Sequence, residues 1–156
     1  MSDWDYIISV IPASLHEVFA DHHENPNAIE IINEGFIKTL VSSSVFHSGQ
    51  GIGITGNGNK DAIRSAKKSY IENGGDFSKT NRLFISIRSG IELHDYRIRE
   101  VMTLLKHKLY PQARIHLAWA INKKLNDSIV ITLIGTDEIQ IGAIQDSLDC
   151  SSKGNT

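Results

Sequence analysis

Hydrophobic and polar positions alternate with two different periods along the chain, and the change of period marks out a series of elements from residue 49 onward. Ile52 and Ile54 are separated by small residues, the period of a short strand. Asn59 is a good helix N-cap, and Ile63, Ala66, Tyr70 and Ile71 then fall on one helical face. Asn73, Gly74 and Gly75 stop that helix. Leu83 to Ile87 reads as an apolar-rich strand. A second helix follows, with Ile98, Val101, Met102, Leu105 and Leu109 on one face. It ends at Tyr110-Pro111, because proline disfavours a helical residue before it. Two strands, 114–121 and 128–134, are joined by turn formers at 122–127.

The predicted order is β-α-β-α-β-β over about residues 52–134. Two helices on a four-stranded mixed sheet make an α/β domain. Right-handed crossovers predict parallel pairing of consecutive strands, and the short last turn predicts an antiparallel final pair.

Before this stretch the pattern weakens, and residues 1–30 are read as a separate N-terminal segment. Tyr6 to Ile11 fits a strand ended by Pro12, and Leu15 to Ala20 a short helical turn. Residues 21–27 are polar and read as a loop. The apolar positions of 28–41 fit a helix weakened by Gly35. The domain is expected to run over 31–135. Residues 136–148 fit a short helix using Ile141, Ile144 and Leu148, and the polar tail beyond is expected to be disordered.

Composition narrows the class. With 156 residues, the chain is long enough for a core without metals or disulfides. A net charge of -2 gives no bulk attraction to nucleic acid or anionic lipid. Cys150 stands alone, which fits a reducing compartment. The acidic start and the shortness of every apolar run predict a soluble, cytoplasmic protein with no membrane partner.

Several residue groups invite chemistry. Gly51, Gly53 and Gly56 match the dinucleotide fingerprint, with Asp76 and Arg88 downstream as possible ribose and phosphate readers. These glycines lie within the strand, so close backbone packing is the preferred reading. The alternative is a small ligand-binding domain or enzyme using the Gly51 to Gly58 turn, with His94 nearby. His16, Asp21, His22, His23 and Glu24 resemble a metal cluster only loosely, because adjacent histidines rarely reach one ion. A solvated loop is preferred. Glu92, His94 and Asp95 read as the polar entrance to the second helix, and His116 as the outer face of its strand. The lysine pairs are scattered and balanced by acids, unlike a nucleic-acid surface. No catalytic, cofactor or metal residue is assigned.

Four segments resemble the C-terminal domain of the tubulin/FtsZ family. Gly51 to Gly58 looks like its strand leading into a Gly-x-Gly turn, and Ile63 to Ala66 like the arginine-alanine opening of the next helix. Ile98 to Val101 is similar to the leucine-x-glutamate-hydrophobic motif of the following helix. Leu125, Asp127 and Ile129 to Thr132 are similar to the turn and last strand of bacterial FtsZ. The resemblance implies a contact module, since this domain binds the next filament subunit and completes that neighbour's GTPase site. It implies a stand-alone domain with no cofactor, no bound GTP of its own and no hydrolysis. The implied partners are the chain itself or a filament-forming relative, with cell division as the setting.

The family's synergy loop finds its best match at Asn33, Glu34, Gly35 and Phe36. Gly35 stands at the family's aspartate position and Lys38 at its second acidic position. A lysine is no anionic general base unless its pKa is strongly depressed. Asn33, Glu34, Gly35, Phe36 and Lys38 are therefore the expected interface, binding without activation, with the sheet edge as a second candidate.

Overall fold

A computed structural model describes residues 3–24, 34–42, 46–54, 58–93, 95–106 and 109–137. The helices are α1 (Asp3–Val10), α2 (His16–Glu24), α3 (Glu34–Val41), α4 (Gly58–Glu72) and α5 (Asp95–Lys106). The strands are β1 (His47–Ile54), β2 (Arg82–Ser89), β3 (Arg114–Ile121) and β4 (Ser128–Thr136). From β1 onward this is the expected β-α-β-α-β-β order, and the sheet is four-stranded and mixed. Residues 28–33 and 138–156 lie outside the described set, and with them the expected first turns of α3 and the C-terminal helix.

The pairing differs from expectation. The strand order is β1-β4-β2-β3. β2 and β3 are parallel, as the crossover rule requires. β4 does not fold back on β3 as a hairpin. It inserts between β1 and β2, antiparallel to both. The connection from β3 must therefore pass the end of β2. Residues Lys123–Leu125 form a 3-10 turn whose N-cap, Asn122, accepts a hydrogen bond from the Lys124 amide. Asn126 takes a positive φ of 55°. Gly90 lies directly under this turn, and a Cβ there would collide with the Asn126 backbone. Glycine at the end of β2 is what lets the chain cross.

The two sheet faces carry different cores. Leu83, Ile85 and Ile87 of β2, and Ile129, Ile131 and Leu133 of β4, point to one face. There they bury against Ala62, Ile63, Ala66 and Tyr70 of α4 and Val101 and Leu105 of α5. Each large aliphatic side chain so buried stabilises the fold by about 1.5–3 kcal/mol. β1 meets α4 at unusually close range. A Cβ on Gly49 or Gly51 would run into the α4 backbone at Ala62, Ala66 and Tyr70. α4 starts at Gly58, so the expected cap Asn59 instead lies in the first turn, buried, with no hydrogen-bond partner for its side-chain amide.

The opposite face is covered by the N-terminal helices. Trp4, Ile7, Ile11, Leu15, Val18 and Phe19 join Ile37, Leu40 and Val41 of α3 over Phe84, Ala118 and Ile134 of the sheet. The segment read as a strand, Tyr6 to Ile11, is helical through Val10. Its apolar residues Ile7 and Ile11 are one helical turn apart and both buried. Asp21, His22 and His23, read as loop, belong to α2.

Candidate functional site

α3 carries the residues expected to form an interface. It begins at Glu34, so the match to the synergy loop lies at the helix entrance, and Asn33 falls outside the described residues. Ile37, Leu40 and Val41 bury one stripe of the helix, which leaves Gly35 and Lys38 exposed. Lys38 Nζ lies 3.2 Å from Asp3 Oδ1 and 5.4 Å from the centroid of the Tyr6 ring. Ser42 donates to Tyr6 Oη at 3.1 Å. The outer part of α3 is thus tied to α1, and the lysine offered to a partner already holds an intramolecular acid. Phe36 points the other way, to the sheet. Its ring is 5.7 Å from His116 and 5.6 Å from the Arg82 guanidinium. His116, expected on an outer face, instead stacks on Phe84 at 5.7 Å under the helical layer.

A second polar group lies deeper, between α2 and the sheet. Arg88 Nη1 donates to Asp21 Oδ2 at 3.1 Å, and both side chains are nearly closed to solvent, at 5% and 8% exposure. Asn122 Nδ2 donates to both Asp21 carboxylate oxygens, at 3.0 and 3.2 Å. Glu17, on the surface, approaches Arg88 at 3.7 Å. Two residues back along β2, on the same face, His22 Nε2 and Ser86 Oγ share a hydrogen bond of 2.6 Å. Burial, then Arg88 and His116, push the His22 pKa down to about 3, so this imidazole is neutral at physiological pH. The pair looks like a nucleophile and its base. His22 is only 1% exposed and Ser86 is closed to solvent, so no substrate reaches them. The group clamps α2 to the sheet.

These contacts decide several rival readings. Arg88, considered as a phosphate reader, is consumed by Asp21. Asp76 is exposed and accepts from the Ser78 amide and hydroxyl, which hold its carboxyl below the usual range. Gly51, the first glycine of the fingerprint, is covered by α4 and cannot approach a pyrophosphate, while Gly56 lies outside the described residues. Asp21 and His22, expected in a solvated loop, are buried and engaged. Among the described residues no cluster of three histidines, cysteines or acids suits a metal ion. No helix among them is long and apolar enough to cross a membrane. Glu92 is exposed just before α5, and His94 lies outside the described residues.

No family model matches the chain, and no curated protein matches it. Solved structures do. An empty FtsZ dimer from M. jannaschii superposes with a TM-score of 0.63 at 18% identity, covering 86% of this chain and 42% of that one. TubZ from Bacillus thuringiensis serovar israelensis, in GDP-form protofilaments, gives 0.64 at 10% identity over 90% of this chain and 41% of its own. The same TubZ in a four-stranded helical filament gives 0.56 at 12% identity over 97% and 39%. The chain thus spans about two fifths of the proteins it superposes on. These matches establish a tubulin/FtsZ-like fold, which the sequence motifs had pointed to.

Proposed function

We propose that this chain is a non-catalytic, FtsZ/tubulin-like domain that associates with itself or with a filament-forming relative through the surface around α3. The observation that carries the reading is the superposition of at least 86% of the chain on proteins whose structures are a dimer, protofilaments and a helical filament. Gly35 and Lys38 favour binding without activation, since neither supplies a carboxylate where the family's pattern has one. The contact would use the exposed Gly35 and Lys38 of α3, with Glu34 beside them, Phe36 at the sheet-facing edge, and Asn33, which precedes the helix in sequence. Its setting would be filament assembly in a dividing cell, in the cytoplasm, with no cofactor of its own.

The test is co-sedimentation of the purified chain with full-length FtsZ from the same source, with and without GTP. Pelleting that requires GTP supports the reading. It fails if the chain stays in the supernatant and is also a concentration-independent monomer by light scattering. GTP hydrolysis by the chain alone contradicts the non-catalytic part.

A further inference from the structure

Arg82 and Arg114 are direct partners in the parallel β2-β3 register, at the entrance of both strands. They lie on the face that carries Phe84 and His116, beneath the helical layer. Directly opposed like charges destabilise a sheet, and among the described residues nothing relieves this pair. The ion pairs there join Lys38 to Asp3, His47 to Asp137, Arg64 to Asp61, and Arg88 to Glu17 and Asp21. None reaches Arg82 or Arg114. Partial burial first, and then the charge of Arg114, lower the pKa of Arg82. The Phe36 ring, 5.6 Å from the Arg82 guanidinium, helps to hold it in place. Arg114 is exposed.

We infer that Arg82 and Arg114, edged by Phe36, form a docking site for an acidic segment of a protein partner. Charge complementarity selects the partner's chemistry. Arginines on directly paired positions offer two planar forks, which match two carboxylates or one carboxylate held from both sides. Continuity selects its class, because Phe36, which lies against Arg82, belongs to the same turn of α3 as the exposed Gly35 and Lys38 of the proposed contact. The inference rests on the filament reading for the partner's identity and supplies what that reading lacks, the chemistry of the opposing surface. A partner's acidic segment relieves the Arg82-Arg114 repulsion that the described residues leave in place.

The experiment measures binding of a labelled hexaglutamate peptide to the whole chain by fluorescence anisotropy at low salt. Arg114→Glu and Arg114→Lys are compared in parallel, and Arg114 is exposed, so both variants should fold. Binding should weaken as salt rises. It should fall roughly tenfold or more in Arg114→Glu, about the loss expected from an exposed charge pair turned repulsive. Arg114→Lys should keep part of it. No binding by the unaltered chain overturns the inference, as does equal binding by Arg114→Glu. Inorganic phosphate that binds at Arg114 more tightly than the peptide overturns it in favour of a phosphate site. If the chain co-pellets with filaments and Arg114→Glu pellets equally well, the inference fails while the filament reading stands. If the peptide binds through Arg114 but the chain never co-pellets, the filament reading fails and the acidic-docking inference stands.

Discussion

The two faces of the sheet are built on different principles. The face under α4 and α5 is almost wholly apolar, and shape holds it together: glycines on β1 and alanines on α4 allow a close approach. The face under α1, α2 and α3 mixes an apolar cluster with Arg82, Ser86, Arg88 and Thr132. There, specific pairings with α2 take up Ser86 and Arg88, and Thr132 donates to Gln50 of β1. One face tolerates apolar exchange but not added bulk. The other tolerates little loss of charge balance, because a buried ion left alone is costly.

The sharpest way to break this contrast is Asp21→Ala. It leaves Arg88 buried with only the exposed Glu17 nearby, and should cost about 3–5 kcal/mol in urea unfolding. A loss below about 1 kcal/mol would mean that the clamp is not a stabilising contact. Replacing Asp21 and Arg88 together by leucine and methionine should recover much of the loss.

Gly51→Ala probes the other face. Its methyl meets α4 backbone, which cannot swing aside like a side-chain tip, so a cost of about 2–3 kcal/mol is expected by thermal or chemical unfolding. Gly74 has φ of 100° and meets only the His47 ring; it stands outside this packing and makes a useful contrast.

Acid should loosen the polar face through His22. His22 has its folded pKa depressed to about 3 against an ordinary 6.5, so the unfolded chain binds the proton first as pH falls. Stability from this group is complete above about pH 6.5 and is lost as pH drops toward 3. Between pH 7.5 and 5.5 the loss should be about 1.4 kcal/mol. Trp4 lies in the cluster over the polar face and Trp119 in the opposite core, so single-tryptophan variants followed by fluorescence report the two sides separately. If His22→Gln leaves the acid dependence unchanged, this assignment is wrong.

Lys38→Ala should have the smallest effect on stability, within about 0.5 kcal/mol, because its pair with Asp3 is largely exposed. A larger loss would make Lys38 a structural tie between α1 and α3, and a weaker candidate for contact with a partner.

The difference between the faces also explains what was legible. Short apolar runs marked the strands, although Ile52 and Ile54, which flagged β1, are exposed. Periodicity located α4 and α5, because a one-sided apolar stripe is itself the signal. Ile63, Ala66 and Tyr70 show this in α4, and Val101 and Leu105 in α5. The insertion of β4 was not legible, since register and strand order depend on contacts far apart in the chain. The polar face hid in the same way. Asp21 and His22 look like loop residues until Arg88 and Ser86, more than 60 positions away, are brought beside them. The one available cue was Arg88 at the end of an apolar strand, a charge that needs a buried counter-charge if the strand is covered on both sides. The α3 residues were singled out through resemblance alone; periodicity carries no mark of an interface.

The central position of β4 has a consequence for how the chain is made. β1 leaves the ribosome more than 70 residues before the strand that pairs with it, since His47 is matched to Gly135. Until then β1 can lean only on α4, and β2 and β3 form a two-stranded sheet whose β2 edge, the slot for β4, stays open. At about 5–20 residues per second, that interval lasts several seconds. During it an unpaired β4 from another copy fits the same slot. Synthesis speed, and the crowding of nascent chains on one message, should therefore govern the yield of correctly closed sheets, a variable that folding of the finished chain at high dilution does not reveal.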